Sequence, residues 1–171
     1  MTNNNKKLFD LLKYSQELEK SNKSFYREDY RKYMELSDLS VIIERNLHLR
    51  KKDYYLELMN MFLTNEINAD TFSGGFRAQY EELNQIYRDM KKDFEKNFDE
   101  LSNLLVEHEE KKIELSLLEQ IGRSLMFMYN YCDDYDYNYC DGYDVNPEES
   151  DMTEEELKNH VKVLVGELKQ I

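Results

Sequence analysis

Residues 72–105 read FSGGFRAQYEELNQIYRDMKKDFEKNFDELSNLL, and the spacing of their apolar side chains decides the fold class. Phe72, Phe76, Tyr80, Leu83, Tyr87, Met90, Phe94, Phe98, Leu101 and Leu105 follow one another at intervals of three or four residues without a miss. Such intervals return side chains to one side of a helix with about 3.6 residues per turn. A half-buried strand would need alternation instead. The stretch predicts one long helix from 69 to about 106, with room for a bend. Gly74 and Gly75 fall inside it, where each glycine costs about 1 kcal/mol relative to alanine, so close approach of another helix is expected there.

The same reading extends both ways. Tyr55, Leu58, Met59, Phe62 and Leu63 form a broad apolar face on a helix over 53–64. Asn68 is placed to cap the next helix, and Asp70 in its first turn complements the dipole. Leu118, Ile121, Leu125, Met128 and Cys132 predict a helix over 113–132, and Leu157, Val161, Leu164 and Leu168 one over 153–170. Thr153 followed by Glu156 is a capping-box signature, with Glu154 and Glu155 also suiting the first turn. Before residue 53 the faces are shorter: Leu8, Leu12, Ser15 and Leu18, then Tyr26, Tyr30, Tyr33 and Leu36, then Leu39, Ile43 and Leu47. The run Arg50, Lys51, Lys52 separates an N-terminal helical extension, 1–52, from the main unit, 53–171. With one Pro, five Gly and no period-two stretch, the chain reads as all-α. Leu58, Phe62, Phe72, Phe76, Leu83, Leu118, Ile121, Leu125, Leu157, Val161 and Leu164 are the expected core.

Charge is unevenly spread. The formal net charge is -13, and between Arg123 and Lys158 there are eleven acidic side chains and no basic one. Tyrosines are interleaved with these acids. A one-signed field of this density repels nucleic acid and attracts a basic surface. Acids steer encounter, while tyrosines combine contact area with a hydroxyl and serve as interface anchors. A hydrophobic content of 40%, with 22 Phe and Tyr, is enough to build a folded core. No apolar run approaches the roughly 20 residues that span a bilayer, and the first residues lack the features of a secretory signal, so a cytoplasmic protein without a membrane partner is expected. Two cysteines fit a reducing compartment. Fifteen Asn and 14 Tyr point to an AT-rich genome.

Neither register of the acidic segment makes an EF-hand. With Gly142 at loop position six, Tyr137 and Tyr139 occupy positions that need oxygen ligands. With Asp134, Asp136 and Asn138 leading, Tyr139 takes the glycine position and Val145 the glutamate position. Cys132 and Cys140 are far apart, and His48, His108 and His160 are scattered, which gives no zinc pattern; Cys132 is expected in the core and Cys140 in a loop. No nucleophile elbow, zincin motif or phosphate-cradling loop occurs. No cofactor, metal or catalytic group is therefore assigned, and the expectation is a non-enzymatic binding protein.

Residues 55–72, YLELMNMFLTNEINADTF, together with LMFMYNYCDDY at 125–135, MTEEEL at 152–157 and the apolar face of 161–168, resemble the bacterial self-protective colicin-like immunity family. The resemblance covers about two thirds of the chain. It implies an antiparallel four-helix bundle, here with additional N-terminal helices, which places acidic residues against the basic active site of a ribonuclease toxin domain. Carried onto this sequence, the partner-binding residues are Asp133, Asp134, Asp136, Asp141, Asp144, Glu148, Glu149 and Asp151, with Tyr135, Tyr137 and Tyr139 as anchors. The chain departs from the family's type member in its N-terminal region and in longer second and third helices. Similar reading frames in algal plastid genomes make the stroma an alternative location, and a stand-alone helical interaction or scaffold protein the alternative role.

Overall fold

The computed structural model describes residues 3–111, 113–140 and 152–170. Among these, regular structure is helical throughout, in eight helices: α1 (Asn3–Lys20), α2 (Phe25–Glu28), α3 (Tyr30–Leu49), α4 (Lys52–Leu63), α5 (Ala69–Lys92), α6 (Phe94–Lys111), α7 (Leu115–Cys140) and α8 (Glu154–Leu168). The chain gathers into two compact units. Unit 1 joins Met1–Leu47 to Asn84–Leu115, and unit 2 joins His48–Leu83 to Ser116–Ile171. This partition differs from a simple division at residue 52, because the first 47 residues pack with a later segment rather than standing as an extension.

Unit 2 is built on the faces that the apolar spacing marks. Tyr55, Met59, Phe62, Phe72, Phe76, Leu83, Leu118, Ile121, Leu125, Leu157, Val161 and Leu164 are all buried, each side chain worth about 1.5–3 kcal/mol in transfer from water. Leu58 is half-buried. Helices α4 and α5 form an antiparallel hairpin: the Tyr55 ring meets Phe76 at 5.0 Å, while Phe62 lies parallel to Phe72 at 4.6 Å. The turn between them uses Asn65 at φ 60, in the left-handed region that asparagine tolerates. Asn68 then caps α5, its Oδ1 accepting from the Thr71 N–H at 2.9 Å. A Cβ on Gly75 would stand 3.4 Å from Leu58 Cδ2, so that glycine does sit against another helix; one on Gly74 would meet nothing within 4 Å.

The other pairings in unit 2 also run antiparallel. Tyr80 on α5 meets Tyr129 on α7 at 4.9 Å, and Arg77, earlier on α5, reaches Asp133, later on α7. Gln120 near the start of α7 donates to Glu167 near the end of α8, while Tyr131 stacks on His160 at 4.0 Å. At the C-terminal end of α4, Lys158 of α8 donates to Asn65 and holds its ammonium 5.1 Å from the centre of the Phe62 ring. Thr153 and Glu156 make the expected capping box, with Glu156 accepting from the Thr153 N–H at 2.8 Å.

Unit 1 holds α1, α2, most of α3, the last turns of α5, and α6. The half-buried Phe9 ring packs edge-on against Phe94 at 5.4 Å and Phe98 at 5.1 Å. Asn4 donates to Glu109 at 2.7 Å, so α1 and α6 are antiparallel. The single long helix expected over 69–106 is broken at Asp93. There the Lys96 N–H bonds to the Asp93 carbonyl at 3.1 Å, and the Gln16 side chain donates to the Lys92 carbonyl at 3.2 Å. A long-range side chain thus serves the carbonyl at the break. The tyrosine face at 26–33 lies outside the core: Tyr26, Tyr30 and Tyr33 are exposed and pack edge-on, Tyr26 against each of the other two.

Candidate functional site

The apolar stripe of α7 runs Leu118, Ile121, Leu125, Met128, Cys132, all buried, and the helix continues beyond it to Cys140. This corrects the expected helix end at 132 and the expected loop position of Cys140. Asp133, Asp134, Tyr135, Asp136, Tyr137 and Tyr139 therefore occupy successive turns of a helix rather than a connecting loop. Asp133 is exposed, at 55% of its side chain, and receives Arg77 Nη2 at 3.0 Å. Tyr135 is half-buried. Asp141, Asp144, Glu148, Glu149 and Asp151 lie outside the described residues.

Just inside the acidic turns, Tyr129 donates its hydroxyl to Glu81 at 2.7 Å. That hydrogen bond is the main reason its phenol is held above the ordinary tyrosine value, with desolvation adding to it. Behind Tyr129, the Tyr80 ring lies 4.7 Å from buried His48, whose Nδ1 is 3.1 Å from the Tyr55 hydroxyl. Burial pushes the Tyr55 phenol up, so it stays neutral. Tyr129, Tyr80, His48 and Tyr55 thus form a graded path of rings from the surface of α7 into the core.

Three features that spacing alone did not single out stand on the outer side of the same helices. Met126 is 39% exposed, Phe127 48% and Val163 62%. Phe127 was readable as an anomaly: it lies two positions after Leu125, on the side of α7 away from the buried stripe, where a polar residue is the norm.

The histidines do not converge. His48 is packed among tyrosines, His160 stacks on Tyr131, and half-buried His108 belongs to unit 1, where desolvation holds its imidazole below the ordinary value against the pull of Glu109. Among the described residues no group of three or more His, Cys, Asp or Glu is arranged to hold a metal ion. A groove of about 950 Å³ between α1 and α6 is floored by Phe9 and Phe98, but it lies in unit 1 and includes none of the acidic segment.

The acidic run between Arg123 and Lys158 accounts for the difference in charge between the two units. The residues of unit 1 hold 15 Lys and Arg against 17 Asp and Glu, whereas those of unit 2 hold 8 against 19. No helix among the described residues is long and apolar enough to cross a membrane. Comparison of the chain with protein-family models, with curated proteins and with solved structures finds no match.

Proposed function

We propose that this chain is a non-enzymatic, immunity-type inhibitor that binds a basic toxin or nuclease surface through the acidic, tyrosine-bearing part of unit 2 and blocks it without chemistry. The observation that carries this reading is the excess of 19 acidic over 8 basic side chains in unit 2, with Asp133 exposed on α7 where the acidic run begins. A field of that sign speeds encounter with a basic protein and disfavours nucleic acid. The antiparallel contacts of α4 with α5, α5 with α7 and α7 with α8 support reading unit 2 as an antiparallel four-helix bundle, the architecture that the immunity resemblance implies. A ribonuclease toxin domain is the partner that fits, because its substrate-binding surface must be basic.

Two steps test the proposal: capture of a basic partner by the purified chain, then stopped-flow kinetics at low and high salt. Asp133→Asn, Asp134→Asn and Asp136→Asn together should slow association and flatten its salt dependence. Association unaffected by salt and by all three substitutions would remove the acidic turns from the interface and leave a helical scaffold role.

A further inference from the structure

The path of rings from Tyr129 to Tyr55 has a proton acceptor at each end. At the outer end the Tyr129 hydroxyl donates to Glu81 at 2.7 Å, in the range of a charge-assisted O–H···O bond. At the inner end the Tyr55 hydroxyl stands 3.1 Å from His48 Nδ1, and donates to it in the tautomer that carries its proton on Nε2. Tyr80 lies between, its ring 4.9 Å from that of Tyr129 and 4.7 Å from that of His48. Tyr129 is half-buried, whereas Tyr80, His48 and Tyr55 are buried. A buried tyrosine needs a partner for its hydroxyl, which accounts for the inner pair. The outer bond is exposed, where water would serve as well, yet there the hydroxyl is turned onto a carboxylate.

Such pairing matters for one kind of reaction. A phenol that loses an electron becomes a strong acid, so its oxidation is fast only where a positioned base takes the proton. We infer that Tyr129 and Glu81 form a one-electron oxidation site, and that Tyr80 joins it to Tyr55 and His48 as a relay. The reactant is a one-electron oxidant from solution, of the class of small inorganic radicals. Tyr129 gives it an electron and passes its hydroxyl proton to the Glu81 carboxylate, leaving a neutral phenoxyl radical beside a carboxylic acid. Tyr55 then returns an electron to Tyr129 by way of the Tyr80 ring. Tyr129 recovers its proton from Glu81, and the Tyr55 proton moves to His48 Nδ1. The net change is one electron to the oxidant, a phenoxyl radical on Tyr55 and an imidazolium on His48, both buried. This activity is independent of what unit 2 binds.

The experiment exposes the full chain to carbonate radicals from pulse radiolysis, with a nitroso spin trap present, and maps the tyrosine adducts by peptide mass spectrometry. The negative charge of this oxidant works against any bias toward acidic unit 2. Tyr129 should be trapped faster than Tyr26 and Tyr30, although those two are the more exposed. Glu81→Gln keeps a hydrogen-bond acceptor but no base, and should slow trapping at Tyr129 by about a hundredfold, the lower scale of a positioned base. Tyr55→Phe should raise the yield of the Tyr129 adduct severalfold, because the radical no longer drains inward; Tyr80→Phe interrupts the same path and serves if the first variant does not fold by circular dichroism. Trapping that follows exposure and ignores Glu81→Gln would overturn the oxidation site. A Tyr129 yield unchanged in the folded Tyr55 or Tyr80 variant would overturn the relay.

Discussion

Phe62→Ala should destabilise unit 2 by about 4 kcal/mol, in the upper half of the range for deleting a buried phenylalanine. The side chain is 0% exposed, so the whole ring is lost from a closed space. Its parallel stack on Phe72 at 4.6 Å disappears as well, a contact worth about 0.5–1.5 kcal/mol beyond buried area. The Lys158 ammonium, 5.1 Å from the ring centre, loses a further cation–π contact of about 0.5–1 kcal/mol. Against a total stability of about 5–15 kcal/mol, the change should be plain in urea titrations followed by far-UV circular dichroism. In a thermal melt it corresponds to about 8–16 °C for a protein of this size. Lys158→Met alone mixes effects, because the ammonium also bonds to Asn65 and Glu154 at 2.6 Å each. The double-mutant cycle with Phe62→Ala isolates the ring contact, and its coupling should be about 0.5–1 kcal/mol. A loss below about 1.5 kcal/mol for Phe62→Ala would refute the packing of α4 against α5 and α8.

Three further outcomes follow from local geometry. Thr153→Ala should cost about 1 kcal/mol at neutral pH by opening the capping box. The Glu156 carboxyl is held below its ordinary 4.5 by the hydrogen bonds from Thr153, so its contribution is present above that pH and lost as pH falls through the lower folded value. Urea titrations of the two proteins at pH 7 and pH 3 should therefore show a smaller difference at acid, where the bond from the Thr153 hydroxyl to the carboxylate weakens while that from the Glu156 N–H to the hydroxyl persists; an undiminished difference would exclude the carboxylate as a contributor. Gly74→Ala should stabilise by about 1 kcal/mol because its Cβ meets open space, whereas Gly75→Ala should gain less, its Cβ standing 3.4 Å from Leu58; equal gains in the melting temperature would contradict the contact. A chain started at Lys52 should self-associate in sedimentation, because removing α1 strips Phe9 from Phe94 and Phe98; a well-behaved monomer would show that α6 does not need α1.

Helix content and the buried faces were legible because packing demands a side chain every three or four residues, and caps because they are local chemistry: Asn68 and Thr153 act as their positions imply. The break at Asp93 was invisible to spacing, since Phe94 and Phe98 continue the interval and the side chain that serves the Lys92 carbonyl, Gln16, is 76 residues away. The exposure of the tyrosine face at 26–33 was not legible from spacing either. Tyr26, Tyr30 and Tyr33 have helical spacing, but their rings are satisfied edge-on by one another, and a tyrosine with its hydroxyl in water need not be buried. The extension of α7 through the acidic turns was missed because acids without periodic apolar partners read as loop. Nothing in a linear pattern could show that residues 84–115 belong with the first 47, a pairing made by Phe9 with Phe94 and Phe98.

The interleaving of the two units sets an order of events on the ribosome. Unit 1 is incomplete until α6 has emerged, and the α4–α5 hairpin, begun at Lys52, must wait for α8, which starts at Glu154. At about 5–20 residues per second, Phe62 waits roughly 5–20 s before α8, which packs on α4 and sets Lys158 over its ring, has been made. During synthesis the newborn hairpin therefore offers an uncovered aromatic surface to chaperones or to neighbouring nascent chains.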